Sequence, residues 1–241
     1  MAKQKVKQDM GEGSIPKLML NLAIPAVVAQ LINMLYNIVD RIYIGHIPDA
    51  GASALTGVGL FLPILMMISA FAMLAGSGGA PRAAIAMGKQ DREGAQKILG
   101  NCFSVLLILA VLQTVLFYIF APQLLRLFGA SDVTLPYALS YARIYILGIV
   151  FVMIVMGMNP FITTQGFTKI SMLTVVIGAA VNIVLDPIFI FGFGMGVQGA
   201  ALATIIAQTV SAVWVLKFLL GNKTVLRIKK ENMRIRGAVI L

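Results

Sequence analysis

Apolar residues fill six long stretches of this chain, at about 18–44, 53–80, 98–120, 134–158, 169–191 and 198–220, and charged residues lie almost wholly between them. A helix rises 1.5 Å per residue, so about 20 residues cross a hydrocarbon core roughly 30 Å thick. Each stretch has that length. A transmembrane barrel would instead show segments of about ten residues that alternate in polarity, and the chain has no such pattern. The pattern predicts an all-α, polytopic membrane protein built as a six-transmembrane-helix bundle.

Composition agrees: 59% of the residues are hydrophobic and 12% charged, which argues against a soluble domain of this size. The net charge of +10 raises the possibility of nucleic acid, but the placement of the charges argues against it. All but three of the 19 Lys and Arg fall in the segments on the side of the N-terminus, the exceptions being Arg126 in an opposite loop and Arg41 and Arg143 near that face. This is the asymmetry of cytoplasmic loops. It places both ends of the six-span unit in the cytoplasm of a cell-membrane protein and leaves the lipid bilayer, not nucleic acid, as the partner. Residues 1–17 read as a cytoplasmic segment, 18–220 as the six-helix unit and 221–236 as a basic cytoplasmic linker. GAVIL at 237–241 reads as the start of a seventh helix, cut short, so the sequence reads as the first half of a longer protein. The apolar run from Leu18 to Ile44 is too long for a signal-peptide core. The single Cys102 lies within the third span and has no partner for a disulfide or a metal site. His46, the only histidine, sits in the short turn GHIPDAG, where a solvated loop residue is the ordinary reading.

Polar positions inside the spans carry the chemistry. In the first, Gln30, Asn33, Asn37 and Asp40 step by 3, 4 and 3, so they share one helix face. A charge at bilayer depth costs about 2.5 kcal/mol or more, and such residues usually face a polar cavity. Tyr36 and Tyr43 flank Asp40. Pro25, which removes a backbone hydrogen bond, makes a bend expected, either as a hinge or as fixed packing. In the fifth span Thr174, Gly178, Asn182 and Asp186 are spaced by four, and Pro187 follows directly, loosening the last turn toward FIFGFG. In the sixth, Gly196/Ala200 and Gly199/Ala203 permit close helix contact, while Thr204, Gln208 and Ser211 form a polar row. Asn159, beside Pro160 at the inner end of the fourth span, is a further cavity amide. Met153, Met156, Met158, Met172 and Met195 supply either an adaptable apolar surface or ordinary membrane packing.

The strings QLINMLYNIVDRIYIGH, NIVLDPIFIFGFGMGVQGAALATIIAQ and RAAIAMGKQDREGAQKILGN resemble the multidrug and toxic compound extrusion (MATE) family, and the likeness corresponds to that family's N-terminal lobe. The resemblance implies one six-helix lobe of a twelve-helix transporter whose two parallel lobes form a V and alternate between inward- and outward-open states. It implies export of organic cations and other amphipathic compounds in exchange for H⁺ or Na⁺, with no further cofactor. By position, Asp40, Asn182, Asp186 and Thr204 resemble the N-lobe cation site, which would ligate metal only if the ion is Na⁺. Gln30 shares the face of Asp40, and Asn33, Tyr36, Asn37 and Asn159 resemble the neighbouring cavity positions. The partner would be a C-terminal six-helix lobe or a second copy of the chain. Two alternatives stand beside it: a lipid-linked precursor flippase, expected to carry more cationic cavity residues, and an inactive truncated half-transporter. No Ser/His/Asp set, metal cluster or phosphate loop points to an enzyme.

Overall fold

The computed structural model describes residues 14–233, which form helices and turns with no strand among them. Lys3, Lys5, Lys7, Arg234 and Arg236, and the expected helix start at 237–241, lie outside the described residues.

The first span is a single helix, α1 (Ile15–Gly45), continuous through Pro25. The second is α2 (Gly51–Leu60) with α3 (Leu62–Gly88), and the third is α4 (Arg92–Leu127). The fourth is a bent pair, α5 (Leu135–Leu147) and α6 (Ile149–Thr164), joined at 59°. The fifth is α7 (Thr168–Pro187), ending in a π-helical turn at Ile188–Gly192, and the sixth is α8 (Val197–Leu220). That π turn is the loosening that Pro187 foretold, since proline offers no N–H to the regular ladder.

Three spans differ from the pattern-based expectation, the third because α4 starts at Arg92 rather than 98 and ends at Leu127 rather than 120. The second runs to Gly88 rather than 80, passing through Pro81. The fourth is broken at Gly148 and then continues past Pro160 to Thr164, so Asn159 lies within α6 rather than at its end. The residue at the break has to be glycine, because α8 seats the Ile205 side chain where a Cβ on Gly148 would stand. Thr114 of α4 donates to the carbonyl of Ile146, 3.4 Å away, one of the groups that the break sets free.

In lipid the hydrophobic effect does not drive helices together, so close contact falls to small residues and packing. Gly57 lets α2 meet α5, with a Cβ there only 2.9 Å from the Ala138 nitrogen. Gly76 does the same for α3 against α6, and Gly199 for α8 against the backbone of Phe189 in the π turn. α3 packs on α4 and α6, α8 on α5, α6 and α7, and α1 mainly on α7. The core holds Phe61, Phe117 and Phe161, all essentially inaccessible. The outer flank of α1 is apolar and exposed at Leu20, Ile24, Val27, Leu31, Leu35 and Ile42, as a lipid-facing surface must be. Basic residues gather at the end of the bundle that holds the α3–α4 turn, with Lys89 and Arg92, and the start of α7, with Lys169; this is the basic end hereafter.

Candidate functional site

A cavity of about 780 Å³ opens between α1, α3, α5, α6, α7 and α8. Helical spacing places α1's polar row on the one flank of that helix that faces inward: Gln30, Asn33, Tyr36, Asn37 and Asp40 all line it. Asn159, Asn182 and Thr204 join them from α6, α7 and α8. Asn37 is turned back onto its own helix, its amide donating to the Asn33 carbonyl at 2.6 Å.

Asp186 sits differently. It lies behind the wall, fully buried, at the contact of α7 with α1, where its carboxyl interacts with that of Asp40. Asn182, one turn earlier, connects it to the cavity: its amide donates to Asp186 Oδ1 at 3.1 Å and to Thr204 Oγ1 at 3.4 Å. Thr204 in turn donates to the Ala200 carbonyl at 2.9 Å, which leaves its oxygen facing Asn182 as an acceptor.

Three oxygens of this group have no protein partner: Asp40 Oδ1, Asp186 Oδ2 and Asn182 Oδ1. Buried oxygens without donors are uncommon in folded chains, and each carries a desolvation cost of about 1–3 kcal/mol. Ionising both carboxyls would add repulsion, which for unit charges about 4 Å apart is on the order of 4 kcal/mol at an effective dielectric of 20. A proton held between them, or a hard monovalent cation among the three oxygens, removes both costs. A transition-metal site is a poorer fit, because no three His, Cys, Asp or Glu side chains cluster among the described residues.

Comparison with known proteins decides the family. The model of the family described as MatE matches residues 25–188, well over half of the chain. The chain belongs to the MATE family. Among curated relatives, the multidrug export protein MepA of Staphylococcus haemolyticus (strain JCSC1435) is 29% identical over 214 residues, covering 88% of this chain and 47% of MepA. MepA of Staphylococcus aureus (strain MSSA476) is 26% identical with the same coverage. Among solved structures, a multidrug resistance MATE family transporter of the MOP superfamily in its outward-facing conformation superposes with a TM-score of 0.87 at 30% identity, over 95% of this chain and 50% of that one. A MOP superfamily transporter from Pyrococcus furiosus gives 0.86, also at 30% identity, over 95% and 50%. The chain thus spans about half the length of the curated relatives it matches, and the six-helix bundle corresponds to one lobe of a MATE transporter.

Among the cavity residues of this MATE lobe that sequence reasoning missed are two tyrosines and the hydroxyl residues Ser69, Ser77, Thr163, Thr164 and Ser171. Tyr141 and Tyr145 of α5 line the cavity, stack on each other with centroids 5.7 Å apart, and pack edge-on against Phe61. Tyr141 also interacts with Thr204, which links α5 to the carboxyl group of residues. Their four-residue spacing was visible, but it matches that of any core aromatic pair. Tyr43, one turn after Asp40 on α1, packs its ring on Phe191 of the π turn. Of the methionines, Met153 and Met158 are fully buried core, and Met156 is the one whose side reaches the cavity. His46 caps α1, its Nδ1 lying 2.7 Å from the Ile42 carbonyl.

Proposed function

We propose that this chain is the ion-coupling lobe of a multidrug efflux transporter that exchanges organic cations for H⁺ or Na⁺. The observation that carries the reading is the trio of unpartnered oxygens on Asp40, Asp186 and Asn182, set at the edge of a cavity large enough for a drug-sized molecule. In this reading Asp40, Asn182, Asp186 and Thr204 hold the coupling ion. Gln30, Asn33, Tyr36, Asn37 and Asn159 contact the drug, and Pro25 is the hinge of α1. The basic end faces the cytoplasm. Ion binding neutralises the carboxyl pair and so weakens the cavity's hold on a cationic drug. For coupling, the ion and the drug must bias the same conformational equilibrium in opposite directions.

Names of the relatives support the multidrug reading, since MepA is described as a multidrug export protein. Among the described residues no Lys or Arg lines the cavity, which disfavours a lipid-linked precursor flippase that would have to hold a pyrophosphate. A second six-helix lobe, or a second copy, completes the transporter.

The test is efflux of a fluorescent organic cation from cells producing the chain alone, and from cells producing it with a C-terminal six-helix half. Export that depends on an imposed H⁺ or Na⁺ gradient and is lost in Asp40→Asn at matched expression is the expected result. Export unaffected by both Asp40→Asn and Asp186→Asn would remove the coupling role. Accumulation of lipid-linked precursors on depletion, without drug export, would favour the flippase.

A further inference from the structure

Residues 224–233 follow α8 and line neither the cavity nor a span, yet side chains from two distant helices hold them. Buried positions alternate along the first part: Thr224, Leu226 and Ile228 are buried, while Lys223 and Lys229 on either side are exposed. That is the period of extended chain, so one edge of the segment faces the bundle. Leu226 is fully inaccessible and belongs to the same apolar core as the helices.

Gln165, at the C-terminal end of α6, is the principal anchor. Its side-chain oxygen accepts three hydrogen bonds, from Thr224 Oγ1 at 2.6 Å and from the backbone nitrogens of Val225 and Leu226 at 2.8 Å each. Its amide donates to the Phe161 carbonyl at 2.8 Å, which fixes the side chain on its own helix. The Ile228 nitrogen donates back to Leu219 of α8 at 3.1 Å. Further on, the turn Lys230–Met233 lies on α4, where Asn101 donates to the Asn232 carbonyl at 3.3 Å and Ser104 to that of Met233 at 2.7 Å. Gly100 makes room for it, since a Cβ there would stand 2.5 Å from the Asn232 oxygen. A slack linker has none of these features; its backbone groups bond to water and its side chains are solvated.

We propose that residues 224–233 are a fixed strap of the lobe, with Gln165 as its clasp, that ties the basic ends of α8, α6 and α4 together and hands the chain on from α4. α4 contributes no residue to the cavity wall. The strap therefore carries the chain to the side of the bundle away from the cavity. Among the described residues none of its hydrogen bonds goes to α1 or α7, the helices that bear the two carboxyls. Movement of α1 against α7 can then occur without disturbing the exit point of the chain. The inference is independent of whether the carboxyl site binds a coupling ion.

Hydrogen–deuterium exchange on the full chain in lipid nanodiscs tests it, with limited trypsin digestion at Arg227, Lys229 and Lys230 as a second readout. The expected result is exchange of the 224–228 amides slowed by at least about 100-fold relative to free peptide, with slow cleavage at the three basic residues. Gln165→Leu should raise both by at least about tenfold while peptides from α1 and α7 keep their wild-type rates. Because Gln165 lies in the bundle, Val225→Pro provides a second route: it removes one of the donors to Gln165 from the strap side and should release the segment equally. Exchange of 224–228 at free-peptide rates in the wild type would overturn the proposal. So would a segment that stays protected in both variants.

Discussion

The polar cluster around Gln165 and the one around Asp40 and Asp186 differ in how completely their hydrogen bonds are made. Around Gln165 the side-chain oxygen has three donors and the amide an acceptor. Around Asp40 and Asp186 three oxygens have no protein partner, although the residues are packed at a helix contact and Asp186 is fully buried. A satisfied buried network rigidifies the elements it joins. An unsatisfied one remains in a folded protein at a cost in stability, and a ligand that supplies the missing charge or bond recovers it. The first cluster thus reads as architecture and the second as a binding site, and mutation should separate them by the sign of its effect on stability.

Asp40→Asn and Asp186→Asn carry the largest expected change. A ligand present at about 100 times its dissociation constant stabilises the state it binds by about 2.7 kcal/mol. The wild-type chain in nanodiscs should therefore melt higher in NaCl than in choline chloride if the ion is Na⁺, or show a pH-dependent melting point if it is H⁺. Either variant should lose that response, with ion affinity down about 100-fold or more, since the neutral amide removes a charge-assisted interaction. In the absence of ion both should melt no lower than the wild type, because the substitution removes a charge whose cost at bilayer depth is about 2.5 kcal/mol or more. Melting that drops by several degrees with the ion response intact would reassign these carboxyls to architecture.

Gln165→Leu should act in the opposite sense. It leaves the Val225 and Leu226 amides without their acceptor, while the Thr224 hydroxyl keeps the Leu226 carbonyl at 2.9 Å, and net hydrogen-bond contributions of about 0.5–1.5 kcal/mol each predict a loss on the order of 1–3 kcal/mol, partly offset by water. The ion response should be unchanged. Thermal melting read with and without the coupling ion checks both statements in one experiment. A lost ion response at full stability would mean that the strap belongs to the site after all.

The sequence announced the architecture site less clearly than the binding site. Six spans follow from length and apolarity, and α1's cavity face follows from the 3, 4, 3 spacing of Gln30, Asn33, Asn37 and Asp40, because a helix fixes which residues share a side. Spacing could not tell that Asp186 would be covered while Asn182 met the cavity. Both lie on one face of α7, and the approach of α1 decides which of them is covered. Nor did it reveal the break at Gly148, since a glycine in an apolar run reads equally as a contact or a kink, and Ile205 lies 57 residues further on. The strap did leave a signal: Thr224, Leu226 and Ile228 alternate with Val225, Arg227 and Lys229. The surrounding charges make the stretch read as a solvated linker, and its true partner, Gln165, is about 60 residues away.

Gln113 sharpens the comparison by being neither kind of residue. It is buried in α4, both of its side-chain polar atoms lack a protein partner, and it does not line the cavity. With no ligand to recover the cost, the amide is expected to be a plain liability. Gln113→Leu should raise stability by about 1–2 kcal/mol, the lower part of the range for leaving a buried polar group unmade. Ion response and strap protection should both stay at wild-type values. A loss of stability of similar size would mean that an ordered water satisfies the amide, and it would weaken the use of unpartnered atoms as a guide to ligand sites elsewhere in the lobe.

Thr204→Val probes the mildest contrast, within the binding site itself. Valine keeps the branched shape and removes the hydroxyl that accepts from Asn182 at 3.4 Å. Asn182 retains its 3.1 Å bond to Asp186, so its amide stays oriented and the carboxyl pair stays in place. What is lost is one neutral oxygen, with its long hydrogen bond from Asn182 and its contact with Tyr141; at the ion site this is worth about 0.5–1 kcal/mol, or roughly a two- to fivefold weakening of ion affinity. Thr204→Ser, which restores the hydroxyl, should recover the wild-type value. If Thr204 ligates Na⁺ directly, the valine variant should weaken Na⁺ binding well beyond fivefold while leaving any proton response nearly intact, because a proton shared by two carboxyls needs no third oxygen. The size of this one effect, read by the shift in melting point across a Na⁺ series and a pH series, therefore distinguishes the two coupling ions that the geometry accommodates.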